Sequence, residues 1–191
     1  MRRLTLASAG LTMLLLTGCS IGKEESTYQY SVPERICDVT VTTPDIKPLL
    51  PPGKTIKESS MGRPGEGRSC GVIVDERVDL KVSYSRQTGE LDIAREADDK
   101  YIGLERIALG GTLTSAAVGD DGAVAWMTCD PKPGQPQYEM PESKLGKYTH
   151  LVLEIRAEDW TKNPENIGEW RANTERFLRA YLAPLTEAWC R

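Results

Sequence analysis

The sequence predicts an α+β fold: a single domain in which an antiparallel sheet of about five strands carries helices packed on one face. Three observations predict it. Val78, Leu80, Val82 and Tyr84 alternate with Arg77, Asp79, Lys81 and Ser83, the period of two expected of a half-buried strand. Leu151, Leu153 and Ile155 alternate in the same way with His150, Val152, Glu154 and Arg156. Near the C-terminal end Ile167, Trp170, Thr174, Phe177, Tyr181 and Leu185 recur at the spacing of a helix that buries one stripe. A sheet with one apolar face needs a cover, and an amphipathic helix is a cover of the right shape.

The elements follow in the order α-β-β-α-β-β-β-α. After Cys37, Thr43-Pro44-Asp45 makes a helix start, because Pro fits the first turn, where its missing N–H is not needed. That helix runs to Leu49-Leu50, and Pro51-Pro52-Gly53 stops it. Ser59 to Ser69 is polar and rich in Gly and reads as loop. Cys70 to Val74 is a strand, joined through a turn at Asp75-Glu76 to the alternating strand around Val82. Leu91, Ala94, Ala97 and Tyr101 fall at helical spacing and predict a helix from Glu90 to Ile102. Thr112 to Val118 and Ala123 to Thr128 are strands joined by the hairpin signal Gly119-Asp120-Asp121-Gly122. Pro131 to Pro141 is a loop, and Tyr148 to Arg156 is the next strand. The last helix is expected to be capped by Asn163, to start at Pro164 and to be kinked or restarted by Pro184.

Upstream of this domain the residues have another purpose. Arg2 and Arg3 are followed by Leu4 to Leu16, an uncharged stretch of apolar and small residues. A membrane-spanning helix needs about 20 apolar residues, so this shorter run fits the core of a signal peptide better than an anchor. Leu16-Thr17-Gly18-Cys19 then supplies an aliphatic residue, two small residues suited to a peptidase groove, and a thiol able to take a diacylglyceryl group. In these residues the chain resembles bacterial lipoproteins. The resemblance implies residues 1–18 as a signal peptide, lipidation at Cys19, residues 19–31 as acylated cysteine and polar tether, and residues 32–191 as one extracytoplasmic domain. Two or three acyl chains hold a protein stably, since each buried methylene contributes about 0.8 kcal/mol. The expected location is the outer face of the cell membrane, lipid-anchored.

The other four cysteines agree with an oxidising compartment. Cys37, Cys70, Cys129 and Cys190 are an even set, and two disulfides are expected of them. Three connectivities are possible and sequence alone selects none; Cys37 with Cys70 and Cys129 with Cys190 is the pairing we expect, the first pinning the N-terminal segment to the sheet and the second stapling the last helix. A zinc site is disfavoured, because no two cysteines have C-x-x-C spacing and His150 is the only histidine. The order of elements and the placing of Cys37 and Cys70 around Leu49-Leu50 resemble small cysteine-paired lipoproteins of actinobacteria that have no established activity. The layout also resembles extracytoplasmic sensor-like domains, which implies binding.

Composition narrows the partners. The formal charge is −4, and loss of Arg2 and Arg3 moves it to about −6, which disfavours nucleic acid and anionic lipid as partners. Trp126, Trp160, Trp170 and Trp189 all lie in the C-terminal half and read as core and edge packing before they read as a stacking platform. There is no H-E-x-x-H and no calcium loop, and Asp120-Asp121-Gly122 reads as a turn. Gly62, Gly65 and Gly67 with Arg63 and Arg68 lack the Lys-Ser/Thr of a phosphate cradle. Asp98-Asp99 and Glu158-Asp159 are adjacent in sequence and diverge in direction, unlike the facing carboxylates of a glycosidase. Pro131, Pro133 and Pro136 read as surface loop. No catalytic residue, metal ligand or cofactor is expected. The function expected is a noncatalytic binding or accessory lipoprotein of the cell envelope, whose partner is an envelope protein or a small ligand. The alternative is a cell-wall or surface hydrolase that uses carboxylates brought together by the fold.

Overall fold

The structure is a computed structural model that describes residues 27–61, 67–88, 100–109, 113–132, 148–157 and 166–191. Cys19, the leader before it, Asn163 and Pro164 lie outside the described residues, as do Asp98-Asp99, Glu158-Asp159, Trp160 and nearly all of the helix expected from Glu90.

A small hairpin opens the domain, with β1 (Arg35–Ile36) antiparallel to β2 (Val39–Thr40). Cys37 and Asp38 at its tip have φ of 50° and 64°, the left-handed pair that a two-residue loop needs to follow the twist of its strands. Non-glycine residues adopt that conformation only when held. Cys37 is held by its disulfide to Cys70 and by its N–H, which donates to Glu58 Oε1 at 3.3 Å. The α1 helix (Thr43–Ile46) is a single turn that tightens into a 3-10 turn at Lys47–Leu49, where Pro48 cannot donate the next helical bond. Ile46, Leu49 and Leu50 are fully buried against the rest of the core.

The main sheet has seven strands: β3 (Ile56–Met61), β4 (Gly67–Val74), β5 (Arg77–Gln87), β6 (Glu105–Ile107), β7 (Leu113–Val118), β8 (Gly122–Thr128) and β9 (His150–Ala157). Their spatial order is β3-β4-β5-β9-β8-β7-β6, and every neighbouring pair is antiparallel. Two meanders therefore meet at the centre, where β9 returns beside β5 with Tyr84 opposite Leu153 and Val82 opposite Ile155. The β4–β5 turn is another left-handed pair, Asp75 and Glu76, with φ of 46° and 71°. Gly122 starts β8 because a Cβ there would lie 2.1 Å from the Ile155 carbonyl oxygen.

One face of the sheet is covered by α2 (Ile167–Trp189), which continues through Pro184. Phe177, Leu178, Tyr181, Leu182 and Leu185 of α2 join Leu80, Val82, Leu151, Leu153, Ile155 and Met127 in one buried cluster. The Tyr181 hydroxyl donates to the Ile36 carbonyl at 2.9 Å, tying α2 to the first hairpin. Arg171 fastens the start of the helix: its guanidinium donates to Asp120 Oδ1 at 2.6 Å and to the Gly103 carbonyl at 2.8 Å, and pairs with Glu105 at 2.8 Å. The other end of α2 is fastened by the Cys129–Cys190 disulfide. Beside it the Lys132 N–H donates to the Trp189 carbonyl at 3.1 Å and the Arg191 N–H to that of Asp130 at 2.7 Å. Sequence separations of 33 and 61 across the two disulfides each correspond to a chain-entropy gain of about 4 kcal/mol.

This architecture corrects the fold class expected from sequence. The chain is sheet-rich, with a seven-stranded and a two-stranded antiparallel sheet and two α-helices among the described residues, in place of an α+β domain with about five strands in the order α-β-β-α-β-β-β-α. The missed strands share a cause. β3 lies at the sheet edge, so its pairing with β4 comes from backbone hydrogen bonds and needs no apolar alternation in Lys57-Glu58-Ser59-Ser60. The stretch read as loop from Ser59 to Ser69 thus contains the end of β3 and the start of β4. β1, β2 and β6 are two or three residues long, too short to show a repeating pattern. Tyr101 and Ile102, expected to end a helix, lie in a bend.

Candidate functional site

The sheet face turned away from α2 follows from strand alternation. Leu151, Leu153 and Ile155 of β9 face the helix, so His150, Val152, Glu154 and Arg156 face the other way. The same rule places Val124 and Trp126 of β8 and Ala117 of β7 on this second face, where they form a small cluster of their own with Tyr101 and Val152. Register then decides which groups touch. Trp126 is opposite Val152 and Thr128 is opposite His150, so the indole and the imidazole are diagonal neighbours on one face. Their rings stack with centroids 4.2 Å apart and planes at 15°. Thr149 Oγ1 lies 2.8 Å from His150 Nδ1 and orients the imidazole.

A charged rim surrounds the cluster. Arg156 lies over the Tyr101 ring at 5.2 Å, pairs with Asp121 at 3.8 Å, and donates to the Lys100 carbonyl. Lys100 pairs with Glu154 at 3.6 Å, and the Ile102 N–H donates to Asp121 Oδ1 at 2.9 Å. Burial pushes the Tyr101 phenol well above its ordinary value, the nearby Glu154 and Asp121 carboxylates add to the shift, and Arg156 opposes it. Tyr101 therefore stays protonated, a hydrogen-bond donor at any physiological pH.

Donors without acceptors mark this face. Tyr101 and Trp126 are 7% and 5% exposed, yet neither the Tyr101 hydroxyl nor Trp126 Nε1 has a hydrogen-bond partner among the described residues. Ser69 Oγ, on the same face by its alternation with Cys70, is also unpartnered. A buried donor left unpaired costs about 1–3 kcal/mol, and a ligand that accepts from it removes that penalty. Stacking rings, protonated donors and a charged rim are the equipment of recognition. Among the described residues no three or more His, Cys, Asp or Glu side chains gather as metal ligands would.

Several residues singled out from sequence now have a place. Cys37 and Cys70 form one disulfide and Cys129 and Cys190 the other, the pairing expected of them. His150 opens β9 on the polar face with Glu154 and Arg156. Asp120 and Asp121 are in the β7–β8 turn, where they hold Arg171 and the Ile102 N–H. Arg68 pairs with Asp38 beside the first disulfide, while Gly62, Arg63 and Gly65 lie outside the described residues. Pro131 bridges to Cys190, and Pro133 and Pro136 lie outside. Sequence reasoning missed Tyr101 as a member of this face, because its helical spacing from Ala97 suggested a different element. It also missed the partnership of Trp126 with His150; the signal for it is the common alternation of β8 and β9, which becomes usable once their register is known.

Within the described residues no helix is long and apolar enough to cross a membrane. No protein-family model, curated protein or solved structure matches this chain.

Proposed function

We propose that the protein is a lipid-anchored extracytoplasmic lipoprotein of the cell envelope that binds, without catalysis, an envelope protein or small ligand at the sheet face turned away from α2. Its location rests on Arg2-Arg3, the uncharged run from Leu4 to Leu16, and Leu16-Thr17-Gly18-Cys19, which together fit export, cleavage before Cys19 and acylation of its thiol. The two disulfides suit an oxidising exterior. The observation that carries the binding role is two buried donors on this face that lack acceptors among the described residues, the Tyr101 hydroxyl at its Gly122 and Arg156 end and Trp126 Nε1 in the stack with His150. A ligand that accepts hydrogen bonds and has a flat face to stack satisfies both features.

Location and binding are tested separately. Cells expressing the native chain and Cys19→Ser are grown with labelled palmitate; the native protein takes up label and partitions into detergent, and the variant does neither. Label retained by Cys19→Ser would remove the lipid assignment. For binding, a photocrosslinking residue at Thr149, beside the stack, captures one discrete envelope partner in intact cells, while the same residue at Ala172, exposed on α2, does not. Equal capture at both positions would remove this face as the binding surface.

A further inference from the structure

Where the chain enters the domain fixes which end of the sheet lies nearest an N-terminal anchor. Tyr28 and Tyr30, within the stretch expected to serve as tether, are docked. The Tyr28 hydroxyl donates to the Leu50 carbonyl at 3.1 Å and the Tyr30 hydroxyl to that of Pro51 at 2.5 Å. Between them the Gln29 N–H donates to the Gly53 carbonyl at 2.8 Å, and Tyr28 bridges Gly53 in parallel. Lys47 Nζ caps the Tyr28 ring at 4.5 Å. Gly53 itself is wedged against the end of β4: a Cβ there would lie 2.5 Å from Val74 Cγ1. The entry point is thus clamped to the end of the sheet that carries the Asp75-Glu76 turn.

The antiparallel register carries this polarity across the molecule. Val74 pairs with Arg77, Leu80 with Ala157, and Arg156 with Gly122, so the β4–β5 and β7–β8 turns share the clamped end with Arg171 at the start of α2. Gln87 pairs with His150 and His150 with Thr128, so the Trp126–His150 stack belongs to the opposite end with the Cys129–Cys190 disulfide. Ten steps along β5 from Arg77 to Gln87 span about 33 Å. The nine steps from Cys19 to Tyr28 reach at most about 30 Å, no more than the length of the sheet itself.

We infer that the clamp of Tyr28 and Tyr30 orients the domain on its membrane, with the Asp75-Glu76 end toward the lipid surface and the His150 end pointing away, where it meets partners approaching from outside. The inference rests on the lipid anchor proposed above. Its physical basis is that a short tether attached at one end of the strands biases that end toward the bilayer, and the tyrosine clamp prevents the attachment point from peeling along the domain.

The test uses the full lipidated protein in phosphatidylcholine vesicles that contain a rhodamine lipid acceptor. A donor dye is placed on a single introduced cysteine, Glu76→Cys at the clamped end or Thr88→Cys at the other, both exposed, with the native disulfides left oxidised. Energy transfer from position 76 exceeds that from position 88 by about twofold or more, given the length of β5. Combining each label with Tyr28→Ser and Tyr30→Ser brings the two efficiencies together while flotation with the vesicles persists. Equal or reversed transfer in protein that floats would overturn the orientation, and a difference that survives loss of both tyrosines would overturn the clamp as its cause. Protein that does not float would instead overturn the lipid anchor beneath it.

Discussion

The two faces of the main sheet are built from the same strands and treat buried polar atoms differently. On the face under α2, aliphatic side chains of β5, β8 and β9 meet Phe177, Leu178 and Leu182, and the buried hydroxyl of Tyr181 reaches the Ile36 carbonyl. Thr174 Oγ1 is an exception there, unpartnered among the described residues. On the other face, Tyr101 and Trp126 are almost as deeply buried and their donors go unpaired among the described residues. Satisfied polar atoms in a packed layer stabilise a fold, whereas an unsatisfied buried donor is a local cost of about 1–3 kcal/mol. The comparison fits the proposal that the first face serves folding and the second recognition.

The strongest way to break this assignment is to open the helix-covered face. Phe177 is fully buried at the middle of α2, so Phe177→Ala loses the ring's transfer energy and leaves a cavity, together about 3–5 kcal/mol. Denaturant unfolding of the soluble domain, read by tryptophan fluorescence, measures it as a lowered midpoint. A loss below about 1 kcal/mol would mean that α2 is a loose cover and that the core lies elsewhere.

How much of this contrast was legible in sequence depends on what each feature rests on. The alternation of Val78 to Tyr84 and of Leu151 to Ile155 is written in side chains, since each strand keeps one face against α2, and β5 and β9 are where it predicts them. The stripe from Trp170 to Leu185 is legible for the same reason. β3 was not, because an edge strand is specified by its neighbour's free backbone groups and its own Lys57-Glu58-Ser59-Ser60 carries no period. The recognition face was half legible. His150, Glu154 and Arg156 sharing one side follows from period two alone, while the stack of His150 on Trp126 depends on the β8–β9 register, a long-range fact without a local signal. The four structural cysteines announced two disulfides by number, but their partners depend on the tips and ends that the fold brings together.

A finer test compares the two buried phenols. Tyr181→Phe strands the Ile36 carbonyl and lowers stability at neutral pH by about 1–3 kcal/mol, whereas Tyr101→Phe removes a donor that had no partner and leaves neutral stability unchanged or slightly higher. Alkaline pH should then make them alike. Burial raises both phenols well above the ordinary 10.0, so the folded protein keeps protons that the unfolded chain releases. Stability contributed below pH 10.0 is lost as pH rises past it, and each substitution removes one proton from that slope. A neutral-pH loss in Tyr101→Phe equal to that in Tyr181→Phe would show that both faces are satisfied interior and would dissolve the contrast.

The smallest effect is expected at the sheet end where the two faces meet. Asp75 occupies a left-handed turn position and its carboxylate accepts from the Thr55 N–H at 2.9 Å and the Lys54 N–H at 3.0 Å. The Thr55 N–H, then the Lys54 N–H, hold the Asp75 carboxyl below the ordinary 3.8. A carboxyl with a depressed folded value contributes stability above its unfolded value, and that contribution disappears as pH falls through the folded one. Asp75→Asn keeps the turn preference but weakens both acceptor bonds, so its midpoint should fall slightly below the native one at pH 7 and approach it once acid has protonated the native carboxyl. Because this turn is exposed and carries neither face, the substitution should leave crosslinking at Thr149 untouched; coupled loss of both would mean that the clamped end and the recognition face are one cooperative unit, and the division of labour between the faces would have to be redrawn along the length of the strands instead.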